Sequence, residues 1–125
     1  MLHIQSGPSR VLDTGVVTAF MGFPLRFELV HEQIRFRVEL RFQTDPARDG
    51  VDVGSEYVDG CLVLTCVNFD EADGRGSSRP VLLGEAGTDA VFLHFKVFRY
   101  GQTDDHTVHY TFFGANREAI GLQPA

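Results

Sequence analysis

The sequence has 125 residues, a formal net charge of −6, 43% apolar residues, eleven Phe and no Trp. Such a chain suits one domain that buries roughly two-thirds of the surface its unfolded form exposes, without needing a disulfide or a metal. The apolar fraction excludes wholesale disorder, and the acidic balance disfavours nonspecific contact with the phosphates of DNA or RNA.

At the start, Met1-Leu2-His3-Ile4-Gln5-Ser6 lacks a basic region followed by an apolar stretch, so it does not read as a signal peptide. No run approaches the ~20 apolar residues that cross a bilayer, so a cytoplasmic protein without a membrane partner is expected. Gly15–Met21 reads as a strand rich in Val, Thr and Phe, broken by Gly22-Phe23-Pro24. Leu25, Phe27 and Leu29 alternate with Arg26 and Glu28, and His31-Glu32-Gln33 forms a short hairpin loop. One long strand with a bulge is the competing reading. Ile34–Phe42 carries the clearest pattern. Ile34, Phe36, Val38, Leu40 and Phe42 alternate with Arg35, Arg37, Glu39 and Arg41, as in a strand with one wet, mostly cationic face.

Gln43–Gly54 is rich in turn formers and predicts a loop, followed by a short edge strand at Glu56–Val58. Asp59-Gly60 then turns into Cys61–Phe69, a run apolar on both faces and therefore covered on both. Cys61 and Cys66 on one strand would stand about 16 Å apart, too far for a disulfide, and both are expected as free thiols. Asp70–Pro80 predicts a second long loop, and Val81–Leu83 a short strand ended by Gly84 and Gly87. Ala90–Tyr100 and His106–Phe113 read as two strands of an antiparallel hairpin. In the tail, Asn116 can cap one helical turn through Arg117–Ile120, stopped by Gly121. The elements together predict an all-β fold: one antiparallel sandwich or flattened barrel of about seven to nine strands over residues 1–113, with 114–125 as a tail.

Several segments resemble a known family. They are Ser6-Gly7, Leu12-Asp13-Thr14-Gly15-Val16-Val17, Val67-Asn68-Phe69-Asp70, Pro80-Val81-Leu82-Leu83-Gly84, Phe92-Leu93-His94-Phe95-Lys96-Val97 and His109-Tyr110-Thr111-Phe112. The family comprises short bacterial proteins known only as a domain of unknown function. The resemblance spans Ile4–Phe113 and implies no catalytic residue, ligand or cofactor.

The residues offer several weak sites. His94, His106 and His109 lack the spacing of a structural zinc site, and His106 and His109, three apart on a strand, point to opposite faces. The acidic loops at 45–54 and 70–80 have oxygens for Ca²⁺ but not the spacing of an EF-hand. Arg75, Ser77, Ser78 and Arg79 sit in a Gly-rich stretch that can cradle a small anion, although it lacks the Lys-Ser/Thr ending of a P-loop. No Gly-x-Ser-x-Gly elbow is present, and Cys66 lies in an apolar run that deactivates a thiol. The leading expectation is therefore a noncatalytic protein-binding or assembly module that meets another protein or a second copy of itself. Its expected interface is Arg35, Arg37 and Arg41 with the aromatic residues Phe92, Phe98 and Tyr100. An anion- or Ca²⁺-binding sandwich comes second, and a small hydrolase with a loop-borne site third.

Overall fold

Alternating apolar residues set most of the strands. The computed structural model describes residues 9–20, 22–69, 75–99 and 105–115, except for the side chains of residues 75, 76 and 99. These residues form nine strands: β1 (Arg10–Ala19), β2 (Leu25–His31), β3 (Ile34–Gln43), β4 (Asp52–Val58), β5 (Cys61–Val67), β6 (Arg75–Ser77), β7 (Val81–Ala86), β8 (Asp89–Arg99) and β9 (His106–Ala115). The tail turn expected at Asn116–Ile120 lies outside the described residues. No helix among the described residues is long and apolar enough to cross a membrane.

The strands make two sheets. One has the order β1-β9-β8-β6, with β7 also paired to β8; the other has the order β2-β3-β5-β4. All pairs are antiparallel except β3 with β5, where Val38 lies beside Leu62 and Phe42 beside Cys66. That parallel pair departs from the all-antiparallel expectation. It arises because residues 44–60 carry the chain over β5, lay β4 on the far side and return through Asp59-Gly60. A crossover of this length is what parallel neighbours require.

The two-residue turns follow the expected chemistry. Asp59 and Gly60 both have positive φ (50° and 77°), as in the primed turns that match strand twist. Glu32 and Gln33 also have positive φ (52° and 67°) and close His31 on Ile34. The hairpin reading of residues 25–42 is thus correct.

The core lies between the sheets. Leu40, Leu64, Phe95, Val97 and Phe112 are fully buried. Phe36, on the apolar face of the alternation, is only half-buried, because it lies toward the open end of β3 where Ile34 is 41% exposed. Ring pairs stitch the layers. Phe27 meets Tyr110 at 4.9 Å, Phe36 meets Phe112 at 6.0 Å and Phe42 stacks on His106 at 5.9 Å. Each joins a β2 or β3 residue to β9, so β9 carries much of the contact between layers.

Some boundaries differ from the sequence reading. β1 begins at Arg10 rather than Gly15 and passes straight through that glycine. A Cβ on Gly15 would lie 2.8 Å from the Tyr110 ring, so the missing side chain is what admits the ring. β7 continues past Gly84 to Ala86 through an irregularity between Leu82 and Gly84. β9 extends to Ala115, two residues past the expected end of the domain. Arg75–Ser77, expected as loop, pairs with Phe98–Lys96 as β6.

Candidate functional site

The outer face of the four-stranded sheet is built by the β2–β3 hairpin. Because a two-residue loop closes His31 on Ile34, every later pair is fixed, and Arg26 stands opposite Glu39 and Glu28 opposite Arg37. Glu39 belongs by alternation to the wet face, yet its side chain is only 8% exposed. Two guanidinium groups cover it. Arg26 Nε donates to Glu39 Oε1 at 3.0 Å, and Arg41 Nε donates to Oε2 at 2.6 Å. The hydrogen bond from Arg26, then that from Arg41, hold the Glu39 carboxyl below its usual pKa, against the opposing effect of burial.

This geometry does more than neutralise a charge. Each arginine is held through Nε, so its terminal nitrogens are not taken by the carboxylate that fixes it. Arg35 pairs with Glu28 at 3.4 Å. Arg37 has no ion-pair partner among the described residues. Arg26, Arg37 and Arg41 line a shallow basin of about 300 Å³ together with the apolar residues Val58, Cys61 and Val63 and the carboxylate of Asp59. Val63 is almost fully buried although it faces outward. Stems of long charged side chains commonly cover apolar surface in this way. The expected interface residues Arg35, Arg37 and Arg41 therefore share one surface, and β3 is an interior strand, so that surface is a sheet face rather than an edge. Arg26 was not among the expected interface residues, and the burial of Glu39 was not expected. Alternation and the two-residue loop together carry that signal.

The aromatic half of the expected interface does not join it. Phe92 and Phe98 belong to the other sheet. Phe92 is fully buried, stacked on Phe113 at 5.4 Å within a small cluster with Ala90 and Ala115, so it offers no surface to a partner. Phe98 is half-buried and meets the His109 ring at 4.9 Å. Tyr100 lies outside the described residues.

One residue of the expected anion cradle, Ser78, is bound into the fold. Ser78 is buried; its amide donates to the Phe95 carbonyl at 2.8 Å and its hydroxyl accepts from the Phe95 amide at 2.9 Å. Ser77 Oγ lies 3.1 Å from His94 Nε2. Burial, then the Lys96 charge, push the His94 pKa below its ordinary value, against a hydrogen bond with the Ser78 backbone. His94 thus adds no positive charge there at neutral pH. Arg79 is exposed and lines a groove of about 520 Å³ with Val51, Asp52, Val53, Phe69 and Val81. The Arg75 side chain is outside the described residues, as are Asp70–Asp73 and Asp104.

The three histidines diverge: His106 is buried against Phe42, His109 is exposed on the opposite face, and His94 stands beside Ser77. Among the described residues, no three His, Cys, Asp or Glu side chains gather as metal ligands.

Both cysteines are free thiols, as expected. Burial pushes the Cys66 thiol up to about 12, whereas Cys61 is half-buried at the edge of the arginine basin. Because the thiolate is the nucleophile, Cys66 stays inert well above neutral pH. A colorimetric thiol reagent at pH 8 should titrate Cys61 in the folded protein and Cys66 only after denaturant is added. Equal rates for the two thiols in the folded state would contradict that order.

One family model matches the chain, over residues 3–114; its description is Domain of unknown function (DUF6864). No curated protein and no solved structure matches.

Proposed function

The chain belongs to the DUF6864 family, whose function is unknown, and we propose that it is a noncatalytic binding module that receives an acidic protein segment on the outer face of its four-stranded sheet. The observation that supports this reading is the buried Glu39, which holds Arg26 and Arg41 through their Nε atoms beside Arg37, which has no ion-pair partner among the described residues. With both arginines more than half exposed, these pairs contribute little to stability. Their effect is to orient guanidinium groups in advance of a ligand, which lowers the ordering cost of binding. Arginine presents a planar fork that matches carboxylates, and the apolar residues of the basin exclude water from the contact.

A fluorescent hexaglutamate peptide provides the test. It should bind, and binding should weaken as salt screens the contact. Arg37→Glu should weaken it about tenfold, equivalent to roughly 1.4 kcal/mol. The fold should be retained by circular dichroism with a small loss of stability, because Arg37 is exposed and has no ion-pair partner among the described residues, but the new carboxylate stands opposite Glu28. Arg79→Glu, in the separate groove, should leave binding unchanged. No binding, or equal loss in both variants, would remove the basis of the reading.

A further inference from the structure

We infer that β4 is a self-complementary edge through which two copies of this chain join their four-stranded sheets. β4 pairs only with β5 among the described residues, and its burial pattern leaves every residue exposed except the half-buried Val53. The other edges carry features that discourage pairing. β1 has an irregularity between Val11 and Asp13, β7 has one between Leu82 and Gly84, β6 spans three residues, and β2 presents Arg26 and Glu28. β4 runs without a bulge and contains no proline, lysine or arginine; its charges, Asp52 and Glu56, do not close the edge but constrain the register. An open, unbulged edge is a template for another strand.

The register follows from the pleat. Residues directly opposite in a sheet share a face, and a one-residue slip would set core-facing side chains against outward ones. Val53, Ser55 and Tyr57 lie on the core side, because they pair with Cys66, Leu64 and Leu62 of the core cluster. The twofold axis must therefore pass through a residue, not between two. Centred on Gly54, it would set Asp52 against Glu56; centred on Glu56, it would set that carboxylate against itself. Like charges directly opposite are destabilising. Centred on Ser55, it opposes Ser55 to Ser55, Gly54 to Glu56, Asp52 to Val58 and Val53 to Tyr57, and all seven residues pair.

The side chains fit that arrangement. Tyr57 is 67% exposed although it lies on the core side, and its hydroxyl donates to the Leu83 carbonyl at 3.1 Å, which fixes the ring at the rim. In the dimer that ring meets Val53 of the partner subunit, beside the groove lined by Val51, Phe69 and Val81. Symmetry supplies the contact twice. An axis perpendicular to a continuous sheet also leaves both arginine faces on the same side, with the two β3 strands roughly 24 Å apart at ordinary strand spacing.

Ser55 supplies the test, because it is exposed in the single chain and faces itself in the dimer. Sedimentation equilibrium of the unmodified protein should give a dimer of about twice 13.9 kDa. Ser55→Lys and Ser55→Glu should each be folded monomers by circular dichroism, and mixing the two should restore the dimer mass. A monomer at every concentration, a dimer that survives Ser55→Lys, or a mixture that fails to associate would overturn the inference.

Discussion

Replacing Phe95 with Ala should lower the unfolding free energy by about 3–5 kcal/mol, the usual penalty for removing a packed ring. Phe95 is fully buried on β8, which pairs with β9 on one side and with β6 and β7 on the other. Its ring stacks on Phe69 at 5.6 Å, and its backbone is bound at both polar groups by Ser78. The cavity therefore opens where three elements meet, and backbone held this firmly cannot collapse to fill it. Domains of this size are stable by only about 5–15 kcal/mol, so the loss is a large share of the total. Phe95→Leu, which refills most of the volume, should cost less than about 1.5 kcal/mol. Phe36→Ala should fall below Phe95→Ala because Phe36 is half-buried. Urea unfolding with a common slope would rank the three. A Phe36→Ala loss as large as that of Phe95→Ala would show that the centre of the core is misplaced.

The ranking marks where the sequence was informative. β3 and β8 alternate over most of their lengths, and period two needs no knowledge of neighbours, so their core faces were legible. β6 was not: Arg75-Gly76-Ser77 has no apolar alternation, and it is a strand because the next residue, Ser78, is fastened to Phe95. β4 was seen only at Glu56–Val58, since Asp52-Val53-Gly54-Ser55 reads as turn chemistry and becomes strand by pairing with β5. The parallel β3–β5 pair leaves no local trace, because it depends on which side of β5 the crossover delivers β4.

The candidate site was half legible for the same reason. Alternation placed Arg35, Arg37 and Arg41 on one face correctly. It also placed Glu39 in water, where the structure buries it, because the side chains of Arg26 on the neighbouring strand and of Arg41 fold over it. Phe92 failed in the opposite sense. A residue on the outer row of a strand was expected at an interface, and it forms a second small cluster within the chain. Periodicity assigns a side to a residue; what covers that side is decided by other segments.

Asn68 is the residue whose loss should most disturb the loop between β3 and β4. It is fully buried and sits at φ 59°, in the left-handed region that a short polar side chain tolerates better than most. Its amide donates to the Gln43 carbonyl at 2.9 Å. Its side-chain oxygen accepts from the Asp45 amide at 2.8 Å, and its nitrogen donates to the carbonyls of Asp45, Arg48 and Gly50 at 3.0, 3.3 and 3.3 Å. One side chain thus substitutes for the sheet partners that residues 45–50 lack. Asn68→Ala should cost about 2–4 kcal/mol, from backbone groups left unsatisfied and from a residue ill-suited to that φ. Asn68→Gly removes the same hydrogen bonds but accepts the backbone angle, so it should recover about 1 kcal/mol relative to Ala. Asn68→Asp keeps the acceptor but turns a carboxylate toward three carbonyls, and should cost at least as much as Ala. Amide exchange should accelerate at residues 45–53 in all three variants, well before it does in β8. A loss under about 1 kcal/mol for Asn68→Ala, with the loop amides still protected, would mean that the crossover is held by β4 and β5 rather than by this side chain.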